Sequence, residues 1–242
     1  MSIQTRSVEY NDGDTVLEAY MAWDETLAGP CPGVLVSHAW GGRSDFDDRK
    51  AERLAELGYV GFAIDLYGKG VSGSNPEENA ALMQPLLDDR ATLQRRMHLA
   101  LKQIMAQKEV DGSRVAAIGF CFGGLCVLDL ARTGADLLGV VSFHGLLGAP
   151  EKTDEREMLA RVLVLHGWLD PHATPEQVLA FADEMTARGA DWELQAYGKA
   201  VHSFTNPDAN DPDNGVQFDA AADNRSWDSM WMFLNEIFAL PT

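Results

Sequence analysis

Short uninterrupted apolar runs, separated by longer stretches of helical spacing, organise this chain. The runs at residues 34–36, 60–64, 115–118, 140–143 and 162–165 have no polar alternation. Strands buried on both faces read this way, as in a parallel sheet covered by helices. Helical spacing fits residues 47–57, a long stretch within 85–107, then 125–132, 175–188 and 220–238, and residues 192–197 supply a last strand. The N-terminal part differs. Residues 7–10 and 16–23 flank Asn11-Asp12-Gly13-Asp14, and Asp-Gly between alternating runs predicts a hairpin. The expected fold class is α/β: a mostly parallel central sheet with an N-terminal antiparallel hairpin and helices on both faces. Ligands of such sheets bind at the carboxyl ends of the strands. No repeat, low-complexity segment or linker divides residues 1–242, so one domain is expected. Within it residues 66–95, with Gly68, Gly70, Gly73 and Pro76, begin as a loop and are a candidate small lid.

Composition narrows the function classes. The chain has 242 residues, of which 37 are Asp or Glu and 19 Lys or Arg, for a net charge of −18. That balance repels nucleic acid and anionic membrane surfaces, so neither is an expected partner. Cys31, Cys121 and Cys126 are too few, and odd in number, for a disulfide framework. Met1 leads into Ser-Ile-Gln-Thr-Arg with no apolar run behind it, and no stretch has the length of a bilayer span. A reduced, cytoplasmic monomer is expected.

Three segments carry candidate chemistry. Gly119-Phe120-Cys121-Phe122-Gly123-Gly124 follows an apolar strand and precedes a helix. Glycines on both sides of a central nucleophile make a tight strand-to-helix elbow that pushes the side chain out over the helix start. Amides and dipole there favour a thiolate. Cys126 lacks such glycines and reads as core. The second segment, His166-Gly167-Trp168-Leu169-Asp170, ends a buried strand with a glycine turn and an acid. The third places His202 directly after the last strand. The order nucleophile, acid, histidine is that of α/β-hydrolases.

On these residues the chain resembles the dienelactone hydrolase family of α/β-hydrolases over nearly its full length. The resemblance rests on the Gly-x-Cys-x-Gly-Gly elbow, the Gly-x-x-Asp turn and the His-Ser-Phe after the last strand. It implies Cys121 as nucleophile, His202 as base and Asp170 as its orienting partner. It also implies an oxyanion hole of backbone N–H groups from Phe122 and, in the loop Ser37-His38-Ala39-Trp40-Gly41-Gly42, from Ala39. The family's prototype has a glutamate before that second donor; here the residue is His38, a side chain able to pair with a thiolate. The prototype's arginine shortly after the histidine is also missing, since Phe204-Thr205-Asn206-Pro207 follows. Arg90, Arg95 and Arg96 read as solvated helix charges. His38, Trp40, His144 and Phe204 are the candidate substrate-binding residues.

The expected function is therefore hydrolysis of a carboxylic ester or lactone through a thioester, with a small molecule as substrate. The histidines show no metal-ligand spacing, and no metal or cofactor is expected. Three alternatives stand beside this reading: a thioesterase or peptidase on the same residues, a non-catalytic binding protein of this fold, and a redox thiol with Cys126 as resolving partner. Five residues apart on one helix, Cys121 and Cys126 are poorly placed for that disulfide.

Overall fold

The structure is a computed structural model that describes residues 1–151 and 156–239. They form two compact units that divide between Ile118 and Gly119. The first opens with β1 (Ile3–Asp12) and β2 (Thr15–Asp24), an antiparallel hairpin paired from Ile3↔Asp24 to Asp12↔Thr15. Gly13 takes φ 60° in the turn, the region that favours glycine. Strand β3 (Cys31–Ser37) leads through a loop to α1 (Asp45–Glu56), then β4 (Val60–Ala63). Strand β4 pairs parallel with β3 and antiparallel with β2. A capping box between Ser44 and Asp47 starts α1, whose Ala51, Leu54 and Ala55 are buried. A Cβ at Gly61 would lie 2.2 Å from the Ala51 carbonyl oxygen, so only glycine lets α1 lie this close to β4.

The segment expected to start as a loop is half helical. After the glycines comes α2 (Pro76–Asp88), capped by Asn75, whose Oδ1 accepts from the Glu78 N–H at 3.0 Å. Asp89 then breaks the chain direction at φ −119°, ψ 77° and caps α3 (Arg90–Met105). The long helical stretch expected within 85–107 is α3, which starts after Asp89. Pro85 lies inside α2. Both Arg95 and Arg96 bind Asp12, at 2.7 and 2.9 Å, and Arg96 also donates to the Leu66 carbonyl. These charges are tied to the hairpin rather than simply solvated.

Strand β5 (Val110–Phe120) begins in the first unit and ends in the second, where α4 (Phe122–Arg132), β6 (Gly139–Phe143), β7 (Arg161–Gly167), α5 (Pro175–Ala187) and β8 (Trp192–Tyr197) follow. The pairs β6–β7 and β7–β8 are parallel. A short pair, β9 (Asn210–Asp211) with β10 (Val216–Gln217), precedes α6 (Ala220–Ala239) and has no counterpart in the apolar pattern. A Cβ at Gly139 would come within 2.9 Å of Phe233 and Ile237 of α6, which seats that helix on β6. Arg132 is 1 % exposed and binds Asp129 (3.2 Å), Glu184 (2.7 Å) and the Leu147 carbonyl (2.9 Å), so its buried charge is matched. Among the described residues, the strand order is β1-β2-β4-β3-β5 in the first unit and β6-β7-β8 in the second. No helix among the described residues is long and apolar enough to cross a membrane.

Candidate active site

The second unit holds the elbow and both of its expected partners. Cys121 joins β5 to α4 at φ 56°, ψ −117°. A non-glycine residue persists there only where its surroundings over-determine it, at about 1–3 kcal/mol of strain. The Cys121 N–H donates to the Phe143 carbonyl at 3.1 Å, and its own carbonyl accepts from the Gly124 N–H at 3.0 Å. A Cβ at Gly119 would lie 2.0 Å from the Gly123 oxygen, and one at Gly124 would lie 2.7 Å from Gly145 Cα. Those two glycines let the elbow close on itself and on the chain after β6. Cys121 makes no side-chain cap to α4, and Phe122, the first residue of that helix, is fully buried.

His202 is 5 % exposed and its Nδ1 lies 2.7 Å from Asp170 Oδ2. Burial alone would lower the imidazole pKa. A Cys121 thiolate, the hydrogen bonds to Asp170 and to Cys121, and the Asp170 charge prevail over it and push the value up to about 10. The histidine is therefore set to carry its proton at neutral pH. Asp170, 2 % exposed, uses its other oxygen to accept from the His172 N–H at 2.8 Å.

Two backbone devices bring these groups together. Trp168 N–H donates to the Tyr197 carbonyl and Leu169 N–H to the Ala200 carbonyl, both at 3.0 Å, which ties the Asp170 turn to the His202 loop. A Cβ at Gly167 would lie 2.5 Å from the Val201 oxygen, so the Gly of Gly-x-x-Asp is a steric requirement. On the other side, His202 bridges to Val216: its N–H donates to the Gly215 carbonyl at 2.9 Å and its carbonyl accepts from Gln217 at 3.1 Å. Gly215 sits at φ 67°, where a Cβ would meet Pro171 Cγ at 2.4 Å.

The remaining candidates divide between the units. His144 (φ 38°) donates its backbone N–H to the Leu165 carbonyl at 2.8 Å, and its Nε2 lies 2.8 Å from Thr205 Oγ1. Its ring meets those of His202 and Phe204 edge-on at 5.3 and 5.0 Å. Phe204 is fully buried against Tyr197, Ala200 and Ala222. His38, Ala39 and Trp40 belong to the first unit. His38 is 0 % exposed; its Nε2 accepts from the Leu66 N–H at 3.2 Å, which leaves the proton on Nδ1, 2.6 Å from the Ala39 oxygen. Burial lowers its pKa, so His38 is neutral, with both nitrogens engaged in its own unit. Trp40 is half-buried, and its carbonyl accepts from the Tyr67 hydroxyl at 2.9 Å. His172, whose ring lies 4.9 Å from that of His202, and Gly215 were not singled out by the sequence reading. Asn214-Gly215 is a turn signal that points to the second. Among the described residues, no group of three or more His, Cys, Asp or Glu side chains is arranged to hold a metal.

A family model described as dienelactone hydrolase matches residues 17–238. The chain is 40% identical to the crystal structure of a dienelactone hydrolase-like promiscuous phosphotriesterase, P91, from metagenomic libraries; the match covers 99% of this chain and 100% of that one at a TM-score of 0.93. A Caenorhabditis elegans protein named K02A2.1 is 41% identical over 159 residues, 63% of this chain and 98% of its own. A Bradyrhizobium protein named "Probable 2-oxo-3-(5-oxofuran-2-ylidene)propanoate lactonase" is 28% identical over 84% of this chain and 86% of its own.

Proposed function

The chain belongs to the dienelactone hydrolase family, and from that premise we propose that it hydrolyses an activated ester or lactone with Cys121 as nucleophile, His202 as acid and base, and Asp170 as the group that orients His202. One observation carries this reading: a buried imidazole joined to Asp170 at 2.7 Å and hydrogen-bonded to Cys121, which projects from a strained elbow.

Asp170 accepts from Nδ1–H, so Nε2 is the nitrogen that faces the reaction. The Cys121 thiolate attacks the carbonyl carbon. Negative charge moves to the oxygen, which the Phe122 N–H at the start of α4 stabilises; the family resemblance assigns the second donor to Ala39. As the carbon–oxygen bond to the leaving group breaks, imidazolium donates its proton to the departing oxygen. A thioester remains and His202 is neutral. The thiolate charge that held the imidazole pKa near 10 is then gone, so the same histidine can take a proton from water. Hydroxide adds to the thioester, the acid leaves, and the thiolate–imidazolium pair re-forms. A thiolate is a good leaving group, so the first tetrahedral intermediate goes forward only when the substrate's own leaving group is at least as good. Activated esters and enol lactones meet that condition and amides do not.

The test is turnover of p-nitrophenyl acetate and of a dienelactone by wild type and Cys121→Ala, with intact mass to trap the acetyl-enzyme. Loss of turnover and of the adduct in the variant is expected. Full activity in Cys121→Ala refutes the mechanism. A second reading draws on the 40% identical structure described as a promiscuous phosphotriesterase. By the same steps the thiolate displaces aryl oxide from phosphorus, and water activated by His202 cleaves the sulfur–phosphorus bond. An aryl phosphotriester assayed beside the esters measures it.

A further inference from the structure

One buried histidine takes no part in these steps. His166 occupies the last position but one of β7, opposite Ala196 of β8 and four residues before Asp170. It is 0 % exposed, and neither ring nitrogen has a hydrogen-bond partner. Buried polar groups are nearly always paired, and an exception needs a reason. Structural need is a poor one, because a leucine or methionine there would bury no orphaned nitrogen.

The charges around His166 give the reason. Burial lowers its pKa; Asp170 pulls the other way and His202 adds to the lowering, so both lie within electrostatic reach. His202 is met in turn by Cys121 and Asp170 and by the rings of His144 and His172. With His202 as imidazolium, His166 remains neutral. A neutral imidazole whose tautomer and ring orientation no hydrogen bond dictates can turn its dipole along the local field. In a low-dielectric interior such a dipole acts strongly on a neighbouring charge.

We propose that His166 is a positioning residue that tunes the reactive pair, its unanchored ring stabilising the separated charges of Cys121, His202 and Asp170 at the expense of fold stability. The proposal rests on Cys121 being the reactive thiolate of the reading above. An apolar side chain at 166 then makes the ion pair harder to form from thiol and imidazole, and makes the imidazolium lose its proton sooner. The pH window of the thiolate–imidazolium pair narrows from both sides.

The experiment measures the alkylation rate of Cys121 by iodoacetamide against pH, followed on the peptide that contains it. This needs no substrate and excludes Cys31 and Cys126. Wild type, His166→Leu, His166→Met and His166→Gln are compared, with urea unfolding of each. The expected result is a window narrowed by about one pH unit or more in the Leu and Met variants, with a tenfold fall in rate at its edges. Unfolding midpoints should be equal to or above wild type, and Gln should restore most of the window. Wild-type profiles in Leu and Met, or failure of both to fold, overturn the proposal and leave the Cys121 reading intact. A wild-type profile that follows an ordinary thiol, near about 8.5, removes the ion pair and the proposal with it.

Discussion

Gly215 has no reactive group, yet replacing it should damage both stability and catalysis. Its carbonyl accepts the His202 N–H at 2.9 Å, its φ is 67°, and a Cβ added there would lie 2.4 and 2.6 Å from Pro171 Cγ and Cδ. Alanine at such a φ costs about 1–2 kcal/mol. The clash is with a ring that cannot swing aside, and forced overpacking adds about 1–3 kcal/mol. Gly215→Ala should therefore lose roughly 2–5 kcal/mol of stability, the sum of those two effects. Relief moves either the strand that holds His202 or Pro171, the neighbour of Asp170. A displacement of about 1 Å there is worth on the order of a hundredfold in kcat. Gly189 supplies the control, since it has φ 65° with nothing within 4 Å of its would-be Cβ. Gly189→Ala should show the backbone penalty alone, with normal turnover. Urea unfolding followed by far-ultraviolet circular dichroism, with kcat for an activated ester, measures both quantities. Equal stability loss in the two variants, with kcat unchanged in Gly215→Ala, would falsify the argument that the 210–217 strand pair holds His202 in place.

Asp170→Asn removes the charge that helps hold the His202 pKa near 10, and kcat/KM for activated esters should fall on the order of 10²–10⁴-fold while the urea midpoint shows the chain still folded; a fall below tenfold contradicts the orienting role. Asp47 accepts from Ser44 N–H at 2.9 Å, but burial pushes its pKa up to about 7. Folding thus takes up a proton on Asp47, and its contribution to stability is lost as pH rises from about 4 through about 7. Asp47→Asn should remove that fall, gaining up to a few kcal/mol at pH 8 and little at pH 4; parallel stability–pH curves from urea titrations contradict it. Arg132→Met takes the guanidinium from buried Asp129 and should cost about 3–5 kcal/mol. Arg132→Met/Asp129→Leu should recover most of that in the same unfolding assay, and an equally unstable double variant argues against charge burial as the cause.

Much was legible along the chain because its signals are local. Buried parallel strands need unbroken apolar runs, so β3 to β7 appear as such. The elbow needs a glycine at 119, since Gly123 O would lie 2.0 Å from a Cβ there, and that demand falls within one short window. The order of Cys121, Asp170 and His202 along the chain is also a sequence property. The long helical stretch within 85–107 is α3, but helical spacing continues across Asp89, and only that residue's backbone shows where α3 starts.

Other features depend on partners far apart in sequence. No window contains both His38 and Leu66, whose hydrogen bond assigns the proton on His38 and keeps it neutral. Val216 bridges to His202 across a loop, and two-residue strands such as β9 and β10 are too short for any periodicity. That Asp170 lies 2.7 Å from His202 depends on a glycine at 167 fitting under the Val201 oxygen. His166 reads as one more residue of a strand end until its burial without a partner is seen. Local spacing specifies which backbone each segment prefers. Which side chains then share a dry, low-dielectric space, with shifted protons as the result, is decided by packing alone.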